Sequence, residues 1–137
     1  MDRALLDRRL HFLSRRLAQA QRQFALLDDG DRVAIAVSGG KDSSALALAL
    51  PAWRRTSGLD LELLAVRVRL PEAAAPAAPG DRLADVCRLA GLPLHETAAP
   101  PAAPAPPGAR DLHPCFRCAR RRRHALVRWA AEHDCAK

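Results

Sequence analysis

Val33-Ala34-Ile35-Ala36-Val37-Ser38-Gly39-Gly40-Lys41-Asp42-Ser43 is the stretch whose reading decides the fold. Five apolar residues in a row, Val33 to Val37, predict a short strand buried on both faces. Two glycines follow at once, and residues 44–50, rich in Ala and Leu, predict a helix. Strand, glycine loop, helix is an arrangement suited to phosphate. Backbone N–H groups at a helix start are unpaired and partly positive. Glycines let the backbone approach oxygen atoms with no Cβ in the way. The Ser38 and Ser43 hydroxyls add donors, and Lys41 adds a cation.

Working outward, residues 3–27 predict one amphipathic helix. Leu6, Leu10, Leu13, Leu17, Ala20, Phe24 and Leu27 recur at helical spacing, with Arg, Asp and Gln between them. Gly30, in Asp28-Asp29-Gly30-Asp31, is the expected left-handed stop. Downstream, Pro51 and Ser57-Gly58 punctuate a turn, and residues 61–70 contain a second strand whose end alternates Val and Arg. A helix over 81–90 ends at Gly91, a third strand is expected over 92–97, and a last helix runs from about Cys115 through Glu132. Two Pro/Ala stretches, 71–79 and 98–108, read as connections. Alternating strands and helices predict an α/β fold, a doubly wound parallel sheet with flanking helices, preceded by the N-terminal helix.

At 137 residues the chain has room for one core. Nearly half its residues are apolar, which is a globular composition. The net charge of +7 comes almost wholly from Arg, since Lys41 and Lys137 are the only lysines, and it points toward polyanions. No apolar run approaches the roughly 20 residues that span a bilayer, and no signal-peptide pattern follows Met1. The expected compartment is the cytoplasm, with no membrane partner. Disulfides are rare there, so four cysteines call for another explanation.

Two familiar phosphate loops are excluded. A Walker A loop needs glycine where Ile35 stands and Ser or Thr where Asp42 follows the lysine. The dinucleotide fingerprint fails because the glycines are adjacent. Farther on, His113-Pro114-Cys115-Phe116-Arg117-Cys118-Ala119-Arg120-Arg121-Arg122-Arg123-His124 places two thiols three residues apart at a helix start, hence on one face. Such a pair suits zinc, an iron–sulfur cluster or redox chemistry.

The run Ser38-Gly39-Gly40-Lys41-Asp42-Ser43 resembles the PP-loop of the ATP pyrophosphatase family. The Cys-x-x-Cys with its arginine helix is similar to the tRNA-thiolation branch of that family, closest to the bacterial tRNA 2-thiocytidine synthetases. The resemblance covers almost the whole chain in order. It implies an enzyme in which ATP, with Mg²⁺, adenylates the C2 carbonyl oxygen of an anticodon-loop cytidine, after which sulfur displaces AMP. It also implies that Ser38, Gly39, Gly40, Lys41, Asp42 and Ser43 bind ATP, with Lys41 and Asp42 in the catalytic step. Asp42 fits either of two roles, holding the metal or capping the helix. By the same resemblance Cys115 and Cys118 would be two of three ligands of a [4Fe–4S] cluster. Arg120, Arg121, Arg122 and Arg123, with Arg15, Arg16 and Arg128, would contact tRNA phosphates. A cysteine desulfurase system would supply sulfur, and the family expectation is a homodimer.

The family's later Gly-His-His-Arg-Asp-Asp-like motif and its third cluster cysteine have no counterpart here. The expectation is therefore the N-terminal part of a PP-loop domain over 31–137, after a helical segment over 1–30. Cys87 and Cys135 are expected to be ordinary buried thiols. A different class of function stands beside this one. In it the chain is a nucleotide- or zinc-binding module without thiolation activity, Cys115 and Cys118 sharing zinc with ligands such as His113 and His124.

Overall fold

The computed structural model describes residues 2–71, 81–102 and 114–137. Most of the two Pro/Ala stretches, and His113, lie outside the described residues. The elements are α1 (Arg3–Phe24), β1 (Arg32–Ala36), α2 (Lys41–Ser57), β2 (Glu62–Arg69), α3 (Arg82–Ala90), β3 (Leu94–Ala98) and α4 (Pro114–Glu132). The three strands form one parallel sheet in the order β1-β2-β3. Val33 faces Leu63 and Ala36 faces Val66 in the first pair, and Ala65 faces Leu94 in the second.

Alternation along the strands divides the core in two. Val33, Ile35, Leu63 and Ala65 point to one face, where Ala47, Leu50 and Trp53 of α2 and Leu83 and Cys87 of α3 cover them. Leu64 and Val66 point to the other, under Trp129 and Leu126 of α4. Helices on both faces make the sheet doubly wound, as expected. The chain also reverses direction. After α4 it returns to the far side of β1, where the Ala34 N–H donates to the Lys137 carbonyl at 2.9 Å and the Ala136 N–H to the Arg32 carbonyl at 2.9 Å. β1 thus has β2 on one side and residues 136–137 on the other, and in open α/β sheets ligands bind beyond the strand carboxyl ends.

Three local readings change. First, α1 stops at Phe24, with Ala25 in the left-handed region at φ 46°. The Gln21 side chain ends it: its amide donates to the Leu27 carbonyl at 2.6 Å and its oxygen accepts from the Leu27 N–H at 3.0 Å. Gly30, φ 86°, makes the turn into β1 instead. Second, α2 begins at Lys41 and runs through Pro51 to Gly58, its left-handed cap. A mid-helix proline removes one backbone bond, but Pro51 and Trp53 are both buried, and that packing carries the helix past it. Third, β1 is buried on one face only. Val33 and Ile35 are covered, whereas Ala34 is half-buried and Ala36 exposed.

Helix α1 lies on the α2 side, where Leu17 and Ala18 join the larger core. None of its residues is fully buried, and Leu5, Phe12 and Phe24 are exposed. Among the described residues no helix is long and apolar enough to cross a membrane.

Candidate nucleotide-binding site

The glycine loop leaves the carboxyl end of β1 and turns into α2. Gly39 has φ 83°, a conformation that residues with a Cβ rarely adopt, and Gly40 is the helix N-cap. Gly40 carries no side chain to cap the helix, so Ser38 and Ser43 shape the turn from either side. The Ser38 N–H donates to Ser43 Oγ at 3.2 Å, and the Gly40 N–H to Ser38 Oγ at 3.3 Å. Ser43 Oγ donates to the Gly40 carbonyl at 3.1 Å, and the two hydroxyl oxygens lie 3.2 Å apart. Both hydroxyls are therefore engaged in the loop's own shape. The donors left for an anion are the N–H groups of the first turn of α2, which have no intrahelical acceptor.

Asp42 does not cap the helix, because Gly40 occupies that position. Its carboxylate lies in the first turn, where the helix dipole favours it, and pairs with Lys41 Nζ at 2.8 Å. Both side chains are about nine-tenths exposed.

A cavity of about 300 Å³ opens beside the loop. Its walls are Ala36, Val37 and Ser38 from the β1 end, Val66, Arg67 and Val68 from β2, and Arg122, Arg123 and Leu126 from α4. The unburied side of β1 is thus the floor of a site. Residues more than 80 positions apart in sequence meet because α4 crosses the face of the sheet that α2 and α3 leave open.

The arginine run does not act as one patch. Arg122 and Arg123 face the cavity, while Arg121 donates through Nε to the Pro100 carbonyl at 2.9 Å. Arg120 is exposed. Arg128 lies 3.8 Å from Glu132, a turn further along α4. Arg15 and Arg16 belong to α1, on the opposite side of the sheet, where Arg16 lies over the Phe12 ring at 5.3 Å. They do not converge with the α4 arginines.

Cys115 and Cys118 stand on the first turns of α4, exposed and half-exposed. They share a stripe with Arg122, Leu126 and Trp129, residues at three- and four-residue intervals, so the pair lies along the helix just beyond the cavity. Cys87 is buried on the other face of the sheet, and burial pushes its thiol pKa up. Cys135 packs beside Trp129 at the far end of α4, its thiol also raised by burial. That end is roughly 20 Å from Cys118 along the axis. His124, six residues past Cys118, is rotated about 240° around the helix from it. Among the described residues no three His, Cys, Asp or Glu side chains come together to hold a metal. Cys115 and Cys118 alone are two thiols and not a complete metal ligand set.

Sequence reasoning missed a polar network at the edge of this site. Arg67 reaches Asp81 Oδ2 at 2.6 Å and also pairs with Glu96, which Arg69 binds through Nε at 2.7 Å. Asp81 at the same time caps α3, accepting from the Leu83 N–H at 3.1 Å. Hydrogen bonds from Arg69 and then Arg67 hold the Glu96 carboxyl below its ordinary range, and Arg67 does the same for Asp81. Burial works against the Arg67 charge, but Asp81 and Glu96 outweigh it and raise its pKa. The alternation of Val and Arg at the end of β2 was the available signal; its partners were not legible.

The chain matches the PP-loop domain family over residues 10–134. A tRNA-cytidine(32) 2-sulfurtransferase from Anaeromyxobacter sp. (strain K) is 34% identical over 136 residues, covering 93% of this chain and 45% of the relative. One from Anaeromyxobacter sp. (strain Fw109-5) is 34% identical over 140 residues, covering 99% and 43%. One from Pelobacter propionicus is 38% identical over 79 residues, covering 58% and 28%. The chain thus spans less than half the length of these curated relatives. The fold is shared with the U34-tRNA thiolase NcsA from Methanococcus maripaludis, solved with its [4Fe-4S] cluster. The TM-score is 0.68 at 20% identity, over 94% of this chain and 44% of that one. With a family match across the loop, the sheet and α4 alike, this chain belongs to the PP-loop domain family.

Proposed function

We propose that this chain binds ATP at the glycine loop and activates an RNA base for thiolation, as the nucleotide-binding part of a tRNA 2-thiocytidine-forming enzyme. The observation that carries the reading is the loop Ser38–Ser43 opening onto a cavity walled by the arginine-bearing face of α4. The N–H groups at the start of α2 hold the β- and γ-phosphates, so that charge growing on departing pyrophosphate meets fixed donors. Val37, Val66, Val68 and Leu126 give the cavity apolar walls for the rest of the nucleotide. The C2 carbonyl oxygen of a cytidine attacks the α-phosphorus, the bond to the bridging oxygen breaks, and pyrophosphate leaves. A sulfide-level sulfur nucleophile then adds at the activated carbon, the C2–O bond breaks and AMP departs with its electron pair.

Asp42 is the one carboxylate on the loop, and Mg²⁺ is normally held by one or two carboxylates together with substrate phosphates. Asp42 would hold Mg²⁺ there, with Lys41 released from it to a phosphate; the ion would neutralise pyrophosphate charge. Cys115 and Cys118 supply two of the ligands a [4Fe–4S] cluster requires, and no step of the reaction is derived through it. The partners in this reading are tRNA and a sulfur-donor system such as a cysteine desulfurase, in the cytoplasm and in a homodimer.

The products of ATP cleavage test the reading. Incubated with ATP, Mg²⁺, sulfide and a tRNA transcript carrying a cytidine at position 32, the chain is expected to release AMP and pyrophosphate in an RNA-dependent manner. Release of ADP and phosphate would place attack at the γ-phosphate and overturn it.

A further inference from the structure

We propose that Arg122 and Arg123 are nucleotide-phosphate ligands rather than part of an RNA patch, so that the run Arg120–Arg123 is divided among nucleotide, fold and solvent. The inference rests on the reading of the loop as an ATP site. It begins from a shortage of positive charge on the loop itself. The loop's one cation, Lys41, is paired with Asp42 at 2.8 Å and points to solvent. Both loop hydroxyls are engaged within the turn. Arg67, the cation on the β2 wall, is held by Asp81 and Glu96. A triphosphate carries about four negative charges, and backbone N–H groups, with one Mg²⁺ on Asp42 and a Lys41 freed by it, leave part of that charge unmet.

The remaining cations that wall this cavity are Arg122 and Arg123. Both are exposed, and neither has an ion pair or hydrogen bond among the described residues. Consecutive helical residues differ by about 100° around the axis, so two neighbours can flank one opening while the next pair points elsewhere. The structure divides the run in that way. Arg121 is bound to the Pro100 carbonyl and Arg120 faces solvent. A guanidinium donates in a planar fork that fits phosphate oxygens two at a time. Arg122 is also one helical turn from Cys118 on the same stripe, so a nucleotide gripped by Arg122 lies against the helix that carries the cysteine pair.

The test compares ligands with and without phosphates on the full chain. ATP and adenosine binding are measured by calorimetry for the wild type and for Arg122→Gln/Arg123→Gln. Arg120→Gln serves as a control and Arg122→Lys/Arg123→Lys as a charge-conserving variant. The double Gln variant is expected to bind ATP about tenfold more weakly or worse, as loss of charged hydrogen bonds implies, with adenosine affinity unchanged. The Lys variant is expected to recover part of the loss, and Arg120→Gln none of it to lose. Equal ATP affinity in the double Gln variant and the wild type overturns the inference alone. In that case a fall in the salt slope of tRNA-transcript binding would return both arginines to the RNA. No ATP binding by the wild type overturns the nucleotide reading as well. If a thermal melt shows the double Gln variant unfolded, the Lys variant decides: weaker ATP binding with adenosine affinity unchanged supports the inference, and ATP and adenosine affinities both equal to wild type overturn it.

Discussion

The two faces of the sheet are built on different terms. One is covered by α2 and α3, with α1 outside them, and holds twelve buried core residues, among them Trp53, Leu50 and Cys87. The other is covered by α4 alone, where the buried set is Leu64, Val66 and Trp129. The thick face supplies most of the apolar burial and hence most of the folding free energy. The thin face keeps Ala36 uncovered and leaves room between β1, β2 and α4. A ligand site needs the space that a dense core would fill. The difference between the faces therefore separates what holds the sheet together from what the sheet presents.

The sharpest way to break this comparison is to truncate the central side chain of each face. Trp53→Ala is expected to cost about 3–5 kcal/mol, read as a shift of the urea midpoint, because it empties a position surrounded by buried groups. Trp129→Ala is expected to cost less, about 3 kcal/mol or under, because the thin side relaxes more readily. It should also loosen α4 and weaken ATP binding, which Trp53→Ala should affect only through unfolding. Equal costs at the two positions would show that the faces share the stability evenly.

A smaller effect sharpens the boundary between them. Gly39→Ala forces a Cβ into the left-handed region, at a cost of roughly 1–2 kcal/mol. Nothing lies within contact distance of that Cβ, so the strain is the backbone's own, and a thermal melt should detect it while both cores stay intact.

The smallest effect concerns acid. Glu96 and Asp81 have carboxyls held below their ordinary range by Arg69 and Arg67. Groups with depressed folded pKa values contribute stability that is complete above the unfolded values and is lost as pH falls through the folded ones. The loss should therefore begin below roughly pH 4 to 4.5. Glu96 is more than a third exposed, so solvent screens the pair, and Glu96→Gln should cost under about 1 kcal/mol at neutral pH. A melt followed from pH 6 to pH 3 should be less acid-sensitive in Glu96→Gln than in the wild type. Equal sensitivity would remove the network from the account.

Much of this was legible in the chain. The apolar run before Ser38 and the glycine pair after it specify strand, loop and helix in order. The stop at Gly91 fell where the structure has it, and Gly58, expected in a turn, proved to be the left-handed end of a longer α2, since a left-handed residue is a local requirement that sequence states directly. The end of α1 was misread because Gln21, a side chain reaching six residues ahead, competes with helix propensity. Pro51 was misread because burial outweighed the one backbone bond a proline removes. The four arginines looked alike in sequence and differ only in what their separate directions around α4 meet.

By itself the sequence determined the loop, the order of strands and helices, the paired thiols and the surplus of positive charge, all properties of neighbours along the chain. Tertiary structure alone decided that Arg122 and Arg123 stand opposite Ser38, that Arg67 and Arg69 share Glu96, and that Cys87 lies across the sheet from Cys115 and Cys118. Those relations depend on which face each crossover takes. That choice follows from the twist and packing of the whole sheet, a long-range balance that local composition does not encode.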